Sequence, residues 1–434
     1  SDVCSSDLYP FSLGDLRDSS IVLGNYMDNA SSSKIPWEDL RYLFGEITYG
    51  GHIVNDLDRL LNITYLDFYL QDNVLDQKEM FPYVENEKGV SFKTPMPTTW
   101  ELYNKHIDEY LTSESPLAFG LHPNAEIDFR LNNSNDVLLR LTELQPRDAS
   151  GGEGTMSPTE IAEQAMGDIK EKINDFIFDM FELNSTLEGD LKGPYQNCFL
   201  QECDIMNILT VEMRRSLKEL KMGFDGELTM SSAMEDLQLS LYLDRIPKIW
   251  DKLAWNSMRP LAAWVLDLCN RFQQLTEWTQ VPTDIPRVVW LSGLINPPSF
   301  LTAIKQVTAQ KAKLPLDSII IQTDVTKKME RKDLEGPAKD GGAYCSGFYL
   351  EGARWDLENQ LIVKSKPKEM FVQMPIINCR GILSSAQETV GIFMCPVYTT
   401  QFRGPTFVFM AQFKTKSPGS RWILAGVAAV LDVG

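Results

Sequence analysis

The sequence predicts an α+β protein: a helical bundle, then a helix-rich region that ends in a small antiparallel β-barrel. Three observations carry this expectation. Apolar residues recur at helical spacing through most of the chain, and β-branched and aromatic runs separated by glycine and proline turns fill its last quarter. The charge also changes sign between the two ends. Residues 1–110 hold 8 Lys/Arg against 19 Asp/Glu, net −11, whereas residues 341–434 hold 9 against 6, net +3. Such a shift marks separately folded units, and 434 residues at ~150 per domain suggest two or three of them.

The first region reads as helices. Leu16 to Met27 forms one, and the polar stretch Asn29–Lys34 forms a loop. Pro36 suits a first helical position and opens Trp37–Thr48. Gly50 and Gly51 are expected to break that helix through positive φ, with Gly51 the position where a β-branched side chain would misalign the flanking helices. Asn55 is a cap for a helix whose stripe is Leu57, Leu60, Leu61, Tyr65 and Phe68. Gln71–Lys93 is polar and loop-like, Thr98–Leu111 is helical, and Ser113–Pro123 is a boundary.

A second helical region starts at Asn124 and is interrupted by the loop QPRDASGGEGTMSP at 145–158. Ser157, Pro158 and Glu160 make a capping box for a helix through Ile161, Ala165, Ile169, Ile173, Phe176 and Met180. Gln196–Lys221 follows, with Ile205, Leu209, Met213, Leu217 and Leu220 on one side and Gly223 as its stop. Helices near Ser231–Leu243, Leu261–Trp278 and Pro298–Ala312 continue the pattern. VVWLSGLIN after Arg287 and Ser318–Val325 are strand-like. From Gly341 onward strands are expected in FYLEGARW, MFVQMPII, GIFMCPVY, TFVFMAQF and WILAGVAAVL.

Chemistry is conspicuous by what the sequence lacks. No Gly-Lys dipeptide exists to build a phosphate-cradling Walker A loop. His52, His106 and His122 have no partners at metal-ligand spacing, and His52 and His122 read as structural. No G-x-S-x-G elbow is present. Catalytic, cofactor-binding and metal residues are therefore all expected to be none. The seven cysteines, Cys4, Cys198, Cys203, Cys269, Cys345, Cys379 and Cys395, include no CxxC pair and read as reduced thiols of a cytosolic protein. On that reading the sequons at Asn29, Asn62, Asn132 and Asn184 go unused. Net charge −19 argues against nucleic acid, no apolar run suits a membrane, and no signal peptide opens the chain. The tryptophans between Trp250 and Trp290 read as core, and Arg214, Arg215 and Lys218 as one solvated helix face. SDVCSSDL at 1–8 resembles a translated sequencing adapter, so the natural chain is expected to run from near Tyr9 and to continue upstream.

Several segments in order then resemble one family. IPWEDLRYLFGEITYGGHIVNDLDRLLNITYL (35–66) is similar to the small helical subdomain of the sixth AAA+ module of dynein heavy chains. FGLHPNAEI (119–127), RIPKIW (245–250), WLSGLINPPSFLTAI (290–304), GFYLEGARWD (347–356), PVYTT (396–400) and WILAGVAAVLDV (422–433) resemble the dynein C-terminal domain. RGPTF (403–407) and LAGVA (424–428) look more like an axonemal outer-arm β-type chain than a cytoplasmic one. The resemblance implies a lid-type subdomain over 9–115, the helical part of the C-terminal domain over 116–340 and its β-barrel part over 341–434. It implies a non-catalytic, ring-buttressing piece of a minus-end-directed microtubule motor in the cytoskeleton of the axoneme. The implied partners are the remaining AAA+ ring, microtubules through a stalk, and intermediate and light chains through a tail, with ATP and Mg held by earlier modules. The rival readings are a stand-alone protein-binding module and an enzyme, for which no residue cluster speaks.

Overall fold

The structure is a computed structural model and describes residue 9 and residues 11–29, 35–75, 96, 98–110, 123–144, 157–334, 336–338, 341–387 and 389–433. Helix α1 (Leu13–Asn29) contains the expected first helix. Pro36 occupies the cap of α2 (Trp37–Tyr42), one residue earlier than expected. The single helix predicted to reach Thr48 is two structures, because hydrogen bonding widens into a π turn over Leu43–Thr48 before a 3-10 turn over Gly50–His52. Helix α3 (Asp56–Tyr69) opens on Asn55, whose side chain accepts from the Leu57 N–H at 2.8 Å. Its expected stripe is half-buried at Leu57, Leu61, Tyr65 and Phe68, and Leu60 is exposed. The local core is instead Trp37, Leu40 and Phe44, with Leu66 and Leu70 packed on them. Helices α4 (Trp100–Tyr110) and α5 (Pro123–Leu144) follow. The expected features at 1–8, 30–34, 76–93, 113–122 and 145–156 lie outside the described residues.

Helix α6 (Pro158–Ile173) begins with the predicted capping box: the Ser157 N–H donates to Glu160 Oε2 at 2.6 Å, and the Glu160 N–H donates to Ser157 Oγ at 3.2 Å. It stops before Phe176. Asp179 starts a separate helix, α7 (Met180–Thr186), by accepting from the N–H groups of Phe181 and Glu182 at 2.9 and 3.0 Å. Helix α8 (Pro194–Phe224) is 31 residues long and buries Leu209, Met213, Leu217 and Leu220 as expected, with Ile205 half-buried. It runs through Gly223; the positive φ that follows it belongs to Gly226, at 76°. Helices α9 (Ser232–Tyr242), α10 (Lys248–Asp251), α11 (Leu261–Thr279) and α12 (Pro297–Ala312) complete the helical region.

The strands are β1 (Val289–Trp290), β2 (Ile319–Val325), β3 (Ala343–Ser346), β4 (Tyr349–Glu351), β5 (Ala353–Asp356), β6 (Leu361–Lys364), β7 (Phe371–Gln373), β8 (Ile377–Leu383), β9 (Ile392–Tyr398), β10 (Phe407–Lys414) and β11 (Ala428–Val430). Most of VVWLSGLIN is not strand, since a 3-10 turn covers Leu291–Gly293. FYLEGARW yields two strands because Gly352 turns the backbone at φ 73°. WILAGVAAVL is also divided: Trp422 to Leu424 belong to helix α13 (Gly419–Leu424), and only Ala428–Val430 pairs.

The mixed α+β class holds; the sheets are mixed in direction where purely antiparallel pairing was expected, and the hydrogen-bonded strand orders do not close into a ring among the described residues. The strands make a four-stranded sheet in the order β1-β3-β8-β2, a five-stranded sheet in the order β10-β9-β11-β4-β7, and the pair β5-β6. The β1–β3 and β11–β9 ladders are parallel. One continuous apolar core runs from Ala162 to Leu431, so the helices α6 to α12 and the sheets bury their apolar faces against each other.

The capping box gives a pH-dependent signature. The Ser157 backbone N–H, then its hydroxyl, hold the Glu160 carboxyl below its ordinary value of 4.5. A carboxyl with a depressed folded pKa contributes stability above its unfolded pKa and loses it as pH falls through the folded value. In Glu160→Gln that contribution is absent at every pH. The difference in melting temperature between the native protein and the variant is therefore expected to shrink as the pH is lowered from 6 to about 3; thermal scans across that range check it.

Candidate functional site

The residues that stand out are at joints between elements. In the first joint, Gly45 and Gly50 bring backbone against backbone. A Cβ on Gly50 would fall 1.5 Å from the Gly45 carbonyl oxygen, whereas one on Gly51 would meet only the Glu46 carbonyl oxygen at 3.8 Å. Neither glycine has positive φ. The expected dependence on Gly51 is thus corrected: the constraint is close approach, and it falls on Gly50. Around this turn Arg59 Nη1 pairs with Glu46 at 3.1 Å and its Nη2 donates to the Ile53 carbonyl at 2.8 Å. His52 Nε2 lies 3.5 Å from Asp15 Oδ1, so it ties the turn to α1. His106 is on α4, and His122 lies outside the described residues.

A second joint links the N-terminal helices to the strands. The Tyr9 hydroxyl donates to Asp58 Oδ2 of α3 at 2.7 Å. Burial chiefly, with the Asp58 charge adding to it, holds the Tyr398 phenol above its ordinary range. Helix α13 packs on α3 at the same place. Asn124, at the start of α5, is buried; its amide donates to the carbonyls of Lys366 at 3.1 Å and Glu369 at 2.7 Å, and its oxygen accepts from the Lys368 N–H at 2.7 Å. This one amide thereby latches α5 to the β6–β7 loop.

The third joint is a buried charged network at the centre of the core. Arg271 of α11 is 1% exposed; its Nε donates to Asp267 Oδ2 at 2.8 Å and its Nη1 to the Leu294 carbonyl at 3.0 Å. Its guanidinium carbon lies 3.9 Å from the centre of the Trp255 ring, a cation–π contact in a desolvated site. Trp255 stacks on Trp264 at 5.1 Å, and Trp250 on the other side of Trp264 at 6.2 Å. Those tryptophans are core, as expected. Glu202 of α8 accepts from the N–H groups of Ile295 and Asn296 at 2.6 and 2.8 Å, at the start of α12. Burial raises the Glu202 pKa, opposed by those two N–H groups and by Arg271. Arg259 pairs with Asp432 at 2.6 Å and ties the helical region to the end of the strands.

Arg214 departs from the expected solvated face. Its Nε donates to the Ile173 carbonyl at 3.2 Å and its Nη2 to the Phe176 carbonyl, so it closes the C-terminus of α6. Arg215 does face outward, between Glu212 and Glu219. Cys198 and Cys203 are buried on α8, and burial raises both thiols. A cleft of about 640 Å³ beside the start of α8 is lined, among the described residues, by one titratable side chain, Lys192, which donates to Asn184 Oδ1 at 3.0 Å. Among the described residues no group of three or more His, Cys, Asp or Glu could hold a metal, and no helix is long and apolar enough to cross a membrane.

What the geometry offers is coupling of helices to sheets through buried polar latches. Residues 6–125 match the family model of the AAA lid domain of the dynein heavy chain, and residues 131–431 match that of the dynein heavy chain's C-terminal domain. The protein belongs to the dynein heavy chain family. It is 44% identical over 426 residues to the ciliary dynein beta chain of Tripneustes gratilla, 44% over 427 to the dynein beta chain of the flagellar outer arm of Chlamydomonas reinhardtii, and 44% over 428 to human dynein axonemal heavy chain 17. Each alignment takes in 98% of this sequence and 9% of the relative, so it spans about a tenth of their length.

Two outcomes follow from these joints. Gly50→Ala is expected to destabilise the N-terminal helices by about 3 kcal/mol, through enforced overpacking, while Gly51→Ala changes stability by less than about 0.5 kcal/mol; denaturant unfolding followed by circular dichroism distinguishes them. Arg271→Leu leaves Asp267 buried without its cation and is expected to cost about 3–5 kcal/mol. Arg271→Leu combined with Asp267→Leu should recover part of that loss, as read by the same unfolding curves.

Proposed function

We propose that this protein is the mechanical, non-catalytic C-terminal part of an axonemal dynein motor. The observation that supports it best is the succession of the two dynein family regions over residues 6–431, joined where α13 packs on α3 and at Asn124. On this reading a lid-type subdomain occupies 9–115, and the C-terminal domain occupies 116–340 as helices and 341–434 as strands. The helices of 9–115 receive rigid-body movement from neighbouring AAA+ modules, and the latches pass it to the C-terminal domain, which buttresses the ring. ATP and Mg are bound and hydrolysed in earlier modules of the parent protein. Microtubules are engaged through its stalk, intermediate and light chains through its tail, and the place of work is the axoneme of a cilium or flagellum.

The test uses an intact heavy chain with the substitution Gly50→Ala. Nucleotide binding by the earlier modules should persist while microtubule gliding slows several-fold, because the altered turn misdirects the helices that carry the stroke. Unchanged gliding in a variant whose lid is measurably destabilised would remove the mechanical role. Loss of nucleotide binding in step with gliding would point to a part in building the nucleotide sites instead.

A further inference from the structure

Two serines among the described residues precede a proline, Ser157 and Ser417, and their hydroxyls are placed oppositely. The Ser157 hydroxyl accepts from the Glu160 N–H at 3.2 Å, and the Glu160 carboxylate returns to the Ser157 N–H at 2.6 Å. That hydroxyl is engaged and has a carboxylate beside it. At Ser417 the backbone is held and the hydroxyl is not. The Ser417 N–H donates to Thr415 Oγ1 at 3.0 Å, and the Thr415 hydroxyl donates to the Ser417 carbonyl at 3.1 Å. The Trp422 indole N–H donates to the same Thr415 oxygen at 2.9 Å. Ser417 is half-buried, with Lys416 and Pro418 exposed on either side, and its hydroxyl has no hydrogen-bond partner among the described residues.

The shape and charge around Ser417 suit one chemistry. Pro418 is extended, at φ −60° and ψ 147°, and a proline keeps the residue before it out of the helical region as well. An enzyme that selects proline after the serine asks no hydrogen bond of that position, because proline has no N–H to give. The segment from Lys414 to Arg421, KTKSPGSR, carries three cations and no acidic residue. Lys414, Lys416 and Arg421 are all exposed, and none has an acidic partner among the described residues. A phosphate on Ser417 would be the one anion among unpaired cations, the setting in which an added phosphate orders a segment through charge-assisted hydrogen bonds.

We propose that Ser417 is a phosphorylation site for a proline-directed serine/threonine kinase, and that its phosphate stiffens the seat of α13 on α3. In the transfer, Ser417 Oγ bonds to the γ-phosphorus of ATP as the bond from that phosphorus to the β,γ-bridging oxygen breaks. ADP leaves, and the hydroxyl proton passes to the catalytic aspartate of the kinase. The new phosphate oxygens take their cations from Lys414, Lys416 and Arg421. Helix α13 begins two residues on, with the Arg421 N–H bonded to the Pro418 carbonyl at 3.2 Å and the Ala425 N–H to the Arg421 carbonyl at 3.1 Å. Because α13 packs on α3, fixing its first turn fixes the contact between the N-terminal helices and the C-terminal part. The site stands apart from the motor role, since it rests on this turn alone.

The test treats the full 434-residue protein with ATP and purified proline-directed kinases, alongside the capped peptide KTKSPGSR, and maps the products by mass spectrometry. Phosphate is expected on the peptide and on Ser417 of the folded protein, and not on Ser157. Pro418→Ala should lose the Ser417 phosphate while its circular dichroism stays that of the native protein. In the phosphorylated protein amide exchange at Arg421 and Ala425 should slow about tenfold, and about 0.5 M salt should remove most of that slowing by screening the exposed charges. A peptide that no such kinase modifies would overturn the site, as would a modified peptide beside an unmodified Ser417 in the folded protein. Phosphate on Ser417 with unchanged exchange at Arg421 and Ala425 would overturn its coupling to α13.

Discussion

The structure turns on one buried guanidinium. Arg271 sits where α11, the Leu294 turn and the tryptophan stack converge, and all of its bonds go to groups that water cannot reach. A cation in such a place lowers stability unless its partners are complete. Asp267 one helical turn away, the Leu294 carbonyl and the face of Trp255 complete them. Glu202 extends the same logic to the entry of α12, accepting from the N–H groups of Ile295 and Asn296 just before it, more than ninety residues away in sequence. Helices and sheets thus share one core whose register is set by polar contacts, while apolar burial supplies most of the driving force.

The N-terminal helices relate to that core differently. They have their own small cluster around Trp37, Leu40 and Phe44, and α3 meets the C-terminal part where α13 packs on it. A small independent core lets a segment tilt as a body, whereas a shared apolar core does not. The π turn and the close approach at Gly50 then set the direction from which α3 leaves for the strands. Stiff latches at a pliant boundary suit a part that passes on movement made elsewhere.

The local features are readable in the sequence because their partners are near. Ser157 and Glu160, three residues apart, and Asn55 with Leu57 are written within one helical turn, and the structure has them as expected. The joints are not readable. Asn124 finds its partners some 240 residues away, and Arg214 looks solvated in sequence because the carbonyls it closes lie about 40 residues upstream. The glycine pair at 50–51 is visible as a constraint, but a dipeptide does not distinguish positive φ from close approach, so the pattern points to the wrong member. WILAGVAAVL is apolar throughout, and periodicity cannot separate helix from buried strand in so short a run. Pro418 before it and Gly426 within it are the signals for a helical turn. The sheets read as antiparallel because β1 and β11 pair with strands far along the sequence, and nothing in a two- or three-residue strand records its direction.

Helix α8 has a consequence of its own. At ~1.5 Å per residue its 31 residues make a strut of roughly 46 Å. Its two ends are tied down separately, by the Tyr195 hydroxyl to Gly341 near the start and by Lys221 to Glu163 near the finish. Removing one residue would turn everything beyond it by about 100° and shorten the span by ~1.5 Å, so Glu202, Arg214 and the buried face could not all keep their partners. The length of the helix is thus a fixed gauge between the parts it separates.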